Sequence, residues 1–221
     1  MPGRLSGWIV AAATALGLAG PAQGETVVTA AVIDARPEAE LPLSRLDLPP
    51  GDLGIAGARL ATQDNATTGR FMGLGFELVE RKVAPDAAVA AVEALMAEGV
   101  GAAVVLAEAD TLLAMADAAG AEMILFNASA RADRLRTETC RANLFHVAPS
   151  RAMIADALAQ FLMVKRWDEW LLVHGSHPGD VALGEAFARS ARKFGGEVVE
   201  TLVFEDTGGA RRGDSSHVLV Q

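Results

Sequence analysis

The stretch "PDAAVAAVEALMAEGVGAAVVLA", residues 85–107, decides the fold because it holds one helix and one buried strand in succession. Apolar residues recur at helical spacing after Pro85, which suits the first turn of a helix, and Gly99 marks its end. The following run, 102–107, is continuously apolar, as expected of a strand covered on both faces. This order predicts one repeating unit of an α/β fold with a parallel sheet.

The same alternation continues on both sides of this stretch. Strands are predicted at residues 26–34, 76–80, 102–107, 122–129, 143–150, 169–176 and 197–205. Helices are predicted at residues 52–65, 85–99, 110–119, 150–166 and 178–194, with Asp52, Asp110 and Ser150 as caps. Strands alternating with helices of this length predict a parallel sheet flanked by helices.

Two helices carry further expectations. The first is predicted because Leu53, Ala56 and Leu60 recur at helical spacing, and it is expected to end at residues 62–65 with Gly69 supplying backbone freedom beyond it. The Asn65-Ala66-Thr67 triplet also fits a glycosylation acceptor, but the alternation favours a helix end there. The fourth helix is predicted to turn the following residues inward: Met153, Ala157, Leu158, Phe161 and Leu162.

The N-terminus predicts export. Residues 1–24 combine Arg4, an apolar run at 8–18 and small residues at 22 and 24, which is the pattern of a secretory signal peptide. The apolar run is too short to span a bilayer, so the mature chain is expected to begin at Glu25 without direct membrane insertion. Cys140 is the sole cysteine, so a hydrophobic core rather than an intrachain disulfide must provide stability.

The charge balance limits the partners. Nineteen Lys and Arg against 28 Asp and Glu give a formal net charge of −9. Nucleic acids and anionic lipids attract clustered cations, so neither is an expected partner.

Three segments resemble a known family. They are "GARLATQDNATTGRFMGLGFELVE" at 57–80, "FHVAPSRAMIADALAQFLMVKRWDEWLLVHG" at 145–175, and "GEAFARSARKFGGEVVETLVF" at 184–204. Together they resemble the type I periplasmic solute-binding proteins of ABC transporters, the leucine/isoleucine/valine-binding class. The positions that carry the resemblance are Gly57, Ala58, Ala61, Asp64, Asn65, Gly69, Pro149, Ser150, Phe187, Gly195 and Gly196. The resemblance implies a non-enzymatic, two-lobed protein that closes around a small ligand and delivers it to the membrane subunits of a transporter.

A narrower resemblance rests on "PPGDLGIAGARLA" at 49–61, "LFNASARADRLR" at 125–136 and "CRANLFHVAPSRAMIADALAQ" at 140–160. These segments look like the binding proteins associated with pyrroloquinoline quinone-dependent alcohol dehydrogenase systems. That resemblance implies a Gram-negative periplasm. It also implies a ligand linked to quinoprotein alcohol oxidation, either the quinone or an alcohol-derived acid, and no cofactor of the protein's own.

The resemblance divides the chain into lobe one at 25–149, the start of lobe two at 150–205 and an irregular tail at 206–221. A two-lobed trap of this class returns to lobe one, so the short second lobe predicts a product truncated at its C-terminus. Two alternatives stay open at this point. One is a non-functional fragment, and the other is a secreted α/β enzyme, which would need a nucleophile–base pair or a metal.

Candidate ligand-binding residues follow the predicted strands, because ligands meet parallel sheets at the carboxyl ends of their strands. These residues are Asp34, Arg36, Glu108, Asp110, Asn127, Ser129, Ser150, Arg151, His174, Ser176 and His177.

Their chemistry ranks these candidates. Asn127 and Ser129 form the best pair for orienting a polar ligand, although each is equally suited to a turn. Arg151 fits a carboxylate-bearing ligand or a solvated first turn. His174 and His177 lack the further ligands that a zinc site needs, so no metal is expected. Glu108 and Asp110 would repel an α-carboxylate, which disfavours a branched-chain amino acid as ligand.

Overall fold

The computed structural model describes residues 26–38 and 48–204. The predicted signal peptide and the predicted tail lie outside these residues. The elements in chain order are β1 (Thr26–Asp34), α1 (Ile55–Met72), β2 (Leu74–Lys82), α2 (Ala88–Ala97), β3 (Ala102–Leu106), α3 (Ala109–Ala119), β4 (Ile124–Asn127), β5 (Leu144–His146), α4 (Arg151–Val164), β6 (Glu169–Gly175), α5 (Pro178–Phe194) and β7 (Glu197–Phe204). Short 3₁₀ turns occupy Pro85–Ala87 and Asp133–Arg136.

The strands form two parallel sheets within the described residues. Five strands are ordered β2-β1-β3-β4-β5, and β6 pairs with β7 in a separate two-stranded sheet. The predicted α/β class and parallel sheet are therefore confirmed. The division into lobes at residue 150 stays a prediction.

The main core lies in the five-stranded unit. Val32 and Ile33 of the interior strand β1 are 0% exposed, and so is Val105 of the central strand β3. The apolar faces of α2 and α3 supply Leu95 and Leu112, which are equally buried. The near-continuous apolar strands of the sequence are thus covered in the way that a parallel sheet requires.

Helix α1 differs from its prediction at its C-terminal end. It continues through Asn65, whose side-chain amide donates to the Ala61 carbonyl at 2.8 Å, and stops at Gly73 with a φ of 70°. Gly69 is a buried residue inside the helix rather than a break after it. A Cβ at Gly69 would lie 2.6 Å from the Leu74 carbonyl oxygen and 2.6 Å from the Phe76 ring. The glycine therefore allows α1 to pack closely on β2.

The start of α1 also differs. The cap is Gly54, which has a φ of 93°, and not Asp52, whose carbonyl accepts from the Ala56 N–H. Leu53, Ala56 and Leu60, which recur at helical spacing, are all exposed, while Ile55 is buried. The spacing of these apolar residues does not mark the buried face, because α1 lies against the edge strand β2 and buries only a narrow stripe of its surface.

Two other helix predictions have different outcomes. Asp110 was predicted to cap α3, but Glu108 occupies the cap position and Asp110 lies in the first turn. Ser150 caps α4 as predicted, since its Oγ accepts from the Met153 N–H at 3.3 Å.

The predicted inward face of α4 is largely wrong. Met153, Leu158 and Phe161 are 42–52% exposed, Ala157 is also exposed, and Leu162 is half-buried. The fully buried residues are Ala155 and Ala159, because α4 packs on α5 through small side chains. Large apolar residues on this helix therefore do not mark its packing face.

Candidate functional site

Backbone hydrogen bonds align the carboxyl ends of four strands in one row. The Ala35 N–H donates to the Leu106 carbonyl at 2.8 Å, which joins the ends of β1 and β3. The Ala128 N–H donates to the Val105 carbonyl, and the Val147 N–H donates to the Asn127 backbone carbonyl, each at 3.0 Å. The residues that follow these strands therefore share one edge of the sheet, as the sequence predicted for parallel strands.

Asp34 ends β1 as a buried carboxylate held by Arg36. The guanidinium donates from Nε to Oδ1 and from Nη2 to Oδ2, both at 2.8 Å, and Nη2 also donates to the Leu53 carbonyl. The hydrogen bond from Arg36 lowers the pKa of Asp34 below its usual value. Both carboxylate oxygens are thus engaged by the chain, and the pair forms one wall of a cavity of about 560 Å³ that also includes Lys82.

Asn127 is 0% exposed, and its amide group organises the turn after β4. Its Oδ1 accepts from the N–H groups of Ser129 at 3.1 Å and Ala130 at 2.8 Å. Its Nδ2 donates to the Ala130 carbonyl and to His146 Nδ1, at 2.8 and 3.0 Å. The predicted ligand group is therefore occupied with hydrogen bonds inside the protein.

Ser129 joins the turn to β3. Its Oγ donates to the Ala107 carbonyl and accepts from the Ala107 N–H, both at 2.9 Å. The structure places Asn127 and Ser129 side by side, as predicted, but each uses its polar atoms to hold neighbouring backbone. This arrangement corresponds to the turn alternative that the sequence left open.

His146, which the sequence analysis did not select, lies at the end of β5 against Arg136. Burial, and then the charge of Arg136, lower the pKa of His146 below its ordinary value of 6.5. The neutral ring also accepts from Asn127 at Nδ1, a hydrogen bond that protonation there would remove. The native state thus favours the neutral imidazole, whereas the unfolded chain binds a proton near pH 6.5.

Because of this histidine, the protein is expected to become less stable as the pH decreases. The unfolded state binds more protons than the native state below about pH 6.5, so the free energy of unfolding decreases as pH falls from 7 through that value. Urea unfolding of His146→Gln at a series of pH values should show a shallower decrease than the wild type. Equal slopes for wild type and His146→Gln would contradict this assignment.

Ser150 and Arg151 lie where the chain passes from the five-stranded to the two-stranded unit. Ser150 is 3% exposed and serves as the α4 cap. The Arg151 N–H donates to the Arg131 carbonyl at 2.9 Å, and its guanidinium lies beside Gly179, with Nη2 3.9 Å from the position of an added Cβ. Within the part of the chain that the structure describes, this guanidinium has no hydrogen bond or ion pair.

The three predicted site residues after β6 do not lie together in the structure. His177 caps α5, because its Nδ1 accepts from the Gly179 N–H at 3.1 Å, and Ser176 beside it is exposed. His174 points to the opposite side, where its ring packs on Gly184 and its Nδ1 lies 2.8 Å from the Gly175 carbonyl oxygen. Of the three, His177 is the one placed near Arg151, since both side chains lie within 4 Å of the position of an added Cβ at Gly179.

The two acidic candidates after β3 differ in their surroundings. Glu108 is exposed at the start of α3, whereas Asp110 accepts from Arg134 Nη2 at 2.6 Å. The negative charge predicted at this edge is thus partly neutralised at Asp110. Glu108 keeps an exposed carboxylate there.

A second cavity of about 530 Å³ lies between α4, α5 and the two-stranded sheet. Its walls are mainly apolar side chains, including Leu158, Leu162 and Phe187, with His174 and Asp180 as the polar groups. Of the predicted candidates only His174 lines this cavity, and Arg151 does not.

Asp133 is a further polar residue where the two units meet, and it is not among the predicted candidates. This residue begins the 3₁₀ turn before β5, and its carboxylate accepts from the Ala152 N–H at 2.9 Å and from Arg189 at 3.1 Å. Its partners are 19 and 56 residues away along the chain, so no short-range pattern points to them.

The fold and the edge geometry define a class of protein, a parallel α/β unit followed by a second α/β unit with polar groups where they meet. The family model for periplasmic binding proteins matches residues 49–211, and the chain belongs to this family of non-enzymatic binding proteins. No helix in the described ranges has the length and apolar character needed to cross a membrane. No curated protein matches the chain significantly.

Solved structures share the fold. The chain is similar to a branched-chain amino acid ABC transporter periplasmic ligand-binding protein from Burkholderia xenovorans LB400, with 19% identity over 88% of this chain and 50% of that one, and a TM-score of 0.71. It is also similar to a substrate-binding protein from Desulfitobacterium hafniense, solved with Leu, with 19% identity over 80% of this chain and 51% of that one, and a TM-score of 0.63. A third similar structure is a solute-binding protein from R. palustris, solved with benzoate, with 14% identity over 88% of this chain and 52% of that one, and a TM-score of 0.57. The chain thus spans about half the length of these proteins, and at such identities the likeness establishes the fold alone.

Proposed function

We propose that this protein is the solute-binding component of an ABC importer and acts in the periplasm after removal of residues 1–24. In this proposal the five-stranded unit is lobe one, the two-stranded unit is the start of lobe two, and the membrane subunits of the importer are the partner. Family membership and the shared fold support the proposal. A ligand that contacts both lobes would favour their closed arrangement.

The observation that carries the choice of ligand is the position of Arg151. Its guanidinium lies between the start of α4 and the start of α5 without a carboxylate partner among the described residues. Arginine binds carboxylates through two parallel hydrogen bonds, and it cannot lose its charge at neutral pH. We therefore propose a carboxylate-bearing ligand, with the exposed Ser176 hydroxyl as a further polar contact.

The backbone around Arg151 contributes little to anion binding. The N–H groups of Ala152 and Met153 are bound by Asp133 and Ser150, and the Gly179 N–H is bound by His177. Asp180 in the first turn of α5 further offsets the positive end of that helix. The guanidinium of Arg151 is thus the cation that the start of α4 offers to a ligand beside α5.

The ligand classes implied by the sequence can be ranked with this geometry. Leu and benzoate, bound by two proteins of the same fold, each carry one carboxylate. Glu108 adds an exposed negative charge to the same sheet edge, so a ligand with several carboxylates would be repelled there. We favour a monocarboxylic acid derived from an alcohol over the quinone itself.

Replacement of Arg151 tests this function. Isothermal titration with benzoate and short aliphatic carboxylates should detect binding to the wild type, while benzyl alcohol should not bind. Arg151→Gln is expected to raise Kd by about ten- to a hundredfold, because a hydrogen bond to a charged group contributes about 1.5–3 kcal/mol. Arg192→Gln, at an exposed arginine in the last turn of α5, is the control and should leave Kd unchanged. Equal affinities for wild type and Arg151→Gln would reject the proposed ligand class.

A further inference from the structure

The start of lobe two is held by one short segment of lobe one, the crossing turn at residues 131–136. The Arg131 carbonyl accepts from the Arg151 N–H, and Asp133 Oδ1 accepts from the Ala152 N–H, both at 2.9 Å. Arg136 donates from Nη2 to the Ala148 carbonyl just before α4. The crossing turn therefore binds the chain on both sides of the α4 cap.

Asp133 makes a second connection, to a different helix. Its Oδ2 accepts from Arg189 Nη2 of α5 at 3.1 Å, with the two side chains 33% and 50% exposed. A single carboxylate thus joins the backbone of α4 and the side chain of α5 to lobe one.

Side-chain hydrogen bonds and packing join α4 to α5. Asp156 of α4 accepts from Ser190 Oγ at 2.6 Å and from Lys193 Nζ at 2.5 Å, both on α5. The buried alanines of α4 and α5 pack in the same interface. Asp133 contacts the joined helices at two places, Ala152 on α4 and Arg189 on α5. Two contacts restrict the rotation of the helix pair relative to lobe one as well as its translation.

Arg189 also has an alternative partner. Glu185, one turn earlier on α5, lies 3.9 Å away from its Nη1. When lobe two turns away from Asp133, the guanidinium can therefore remain paired within its own helix. In the structure the guanidinium lies near both carboxylates, and only its bond to Asp133 links the lobes.

We infer that Asp133 is a positioning residue that sets the orientation of lobe two relative to lobe one, through its bonds to Ala152 and Arg189. The inference rests on the proposed two-lobed function, because orientation matters only if the lobes close on a ligand. Arg151, the proposed ligand contact, lies directly before Ala152, so ligand capture and lobe orientation act on the same turn of α4.

The orientation can be measured without a ligand. In the whole chain with Cys140→Ser, nitroxide labels at Glu93→Cys on α2 and Arg192→Cys on α5 report the distance between the two units by pulsed electron resonance. Arg189→Gln should shift the populations of the distance distribution by about two- to fivefold, as expected for one partly exposed ion pair. Asp133→Ala should shift them by about tenfold, because it also removes the bond to the α4 N-terminus.

Arg141→Gln is the matched control, since it removes the Arg141–Asp117 ion pair inside lobe one and should leave the distances unchanged. If Asp133→Ala fails to fold by circular dichroism, the surface variant Arg189→Gln still decides the matter. Distances identical to those of the wild type in Arg189→Gln would overturn the inference. A failed carboxylate titration would reject the proposed ligand and leave these distances unaffected, so the two failures are distinguishable.

Discussion

Gly69→Val is expected to destabilise the protein by about 3 kcal/mol, because overpacking of a tight interface costs about 1–3 kcal/mol and occasionally more. The added Cβ would approach the Leu74 carbonyl oxygen and the Phe76 ring, each within 2.6 Å. The carbonyl belongs to the backbone of β2, so it has little freedom to move away. Helix α1 would have to lift from the sheet, and urea unfolding followed by circular dichroism should show a lower midpoint.

Gly57→Ala is the matched control for this prediction. It lies in the same helix, with nothing within 4 Å of an added Cβ. Alanine is favoured over glycine by about 1 kcal/mol in helix interiors, so this variant should be slightly more stable than the wild type. If Gly69→Val unfolds at the wild-type midpoint, the close packing of α1 on β2 is wrong.

Asn127→Ala is expected to have a similar effect for a different reason. It would leave the N–H groups of Ser129 and Ala130 without their acceptor in a buried turn. Each unsatisfied buried group costs about 1–3 kcal/mol, so a total loss of about 3 kcal/mol is expected in thermal or urea unfolding.

Asn65→Ala is the corresponding control, because its amide is exposed on α1 and bonds only to the preceding turn. Its effect should lie within about 0.5 kcal/mol of the wild type, as for most surface substitutions. Unchanged stability of Asn127→Ala together with lost carboxylate binding would reverse the assignment. Asn127 would then be a ligand group, as the sequence also allowed.

The outcome for Asn127 shows why site residues were harder to predict than strands. An amide after a buried strand suits both a ligand and a turn, and sequence spacing does not distinguish them. The decision depends on which donors and acceptors come within reach, and those of Asn127 include His146, 19 residues away. Asp133 and Arg189 were missed for the same reason, because 56 residues separate them along the chain.

Helix packing faces were also beyond prediction. Large apolar residues such as Phe161 look like core, but α4 meets α5 through Ala155 and Ala159, since small side chains let the helices approach closely. Glycine often ends helices, so the sequence predicts a helix end near Gly69, whereas the close approach of β2 that requires this glycine is not visible in a local window.

The sequence by itself determined the α/β class, the order of strands and helices, and the edge where polar groups gather. Those features follow from local periodicity and from the rule that parallel strands end at a common edge. Only the tertiary structure decided that Asn127 and Ser129 hold the turn, that Arg151 stands without a carboxylate partner in the described residues, and that Asp133 links the two units. Hydrogen bonding and burial depend on atoms brought together from distant parts of the chain, and no single stretch of sequence specifies those distances.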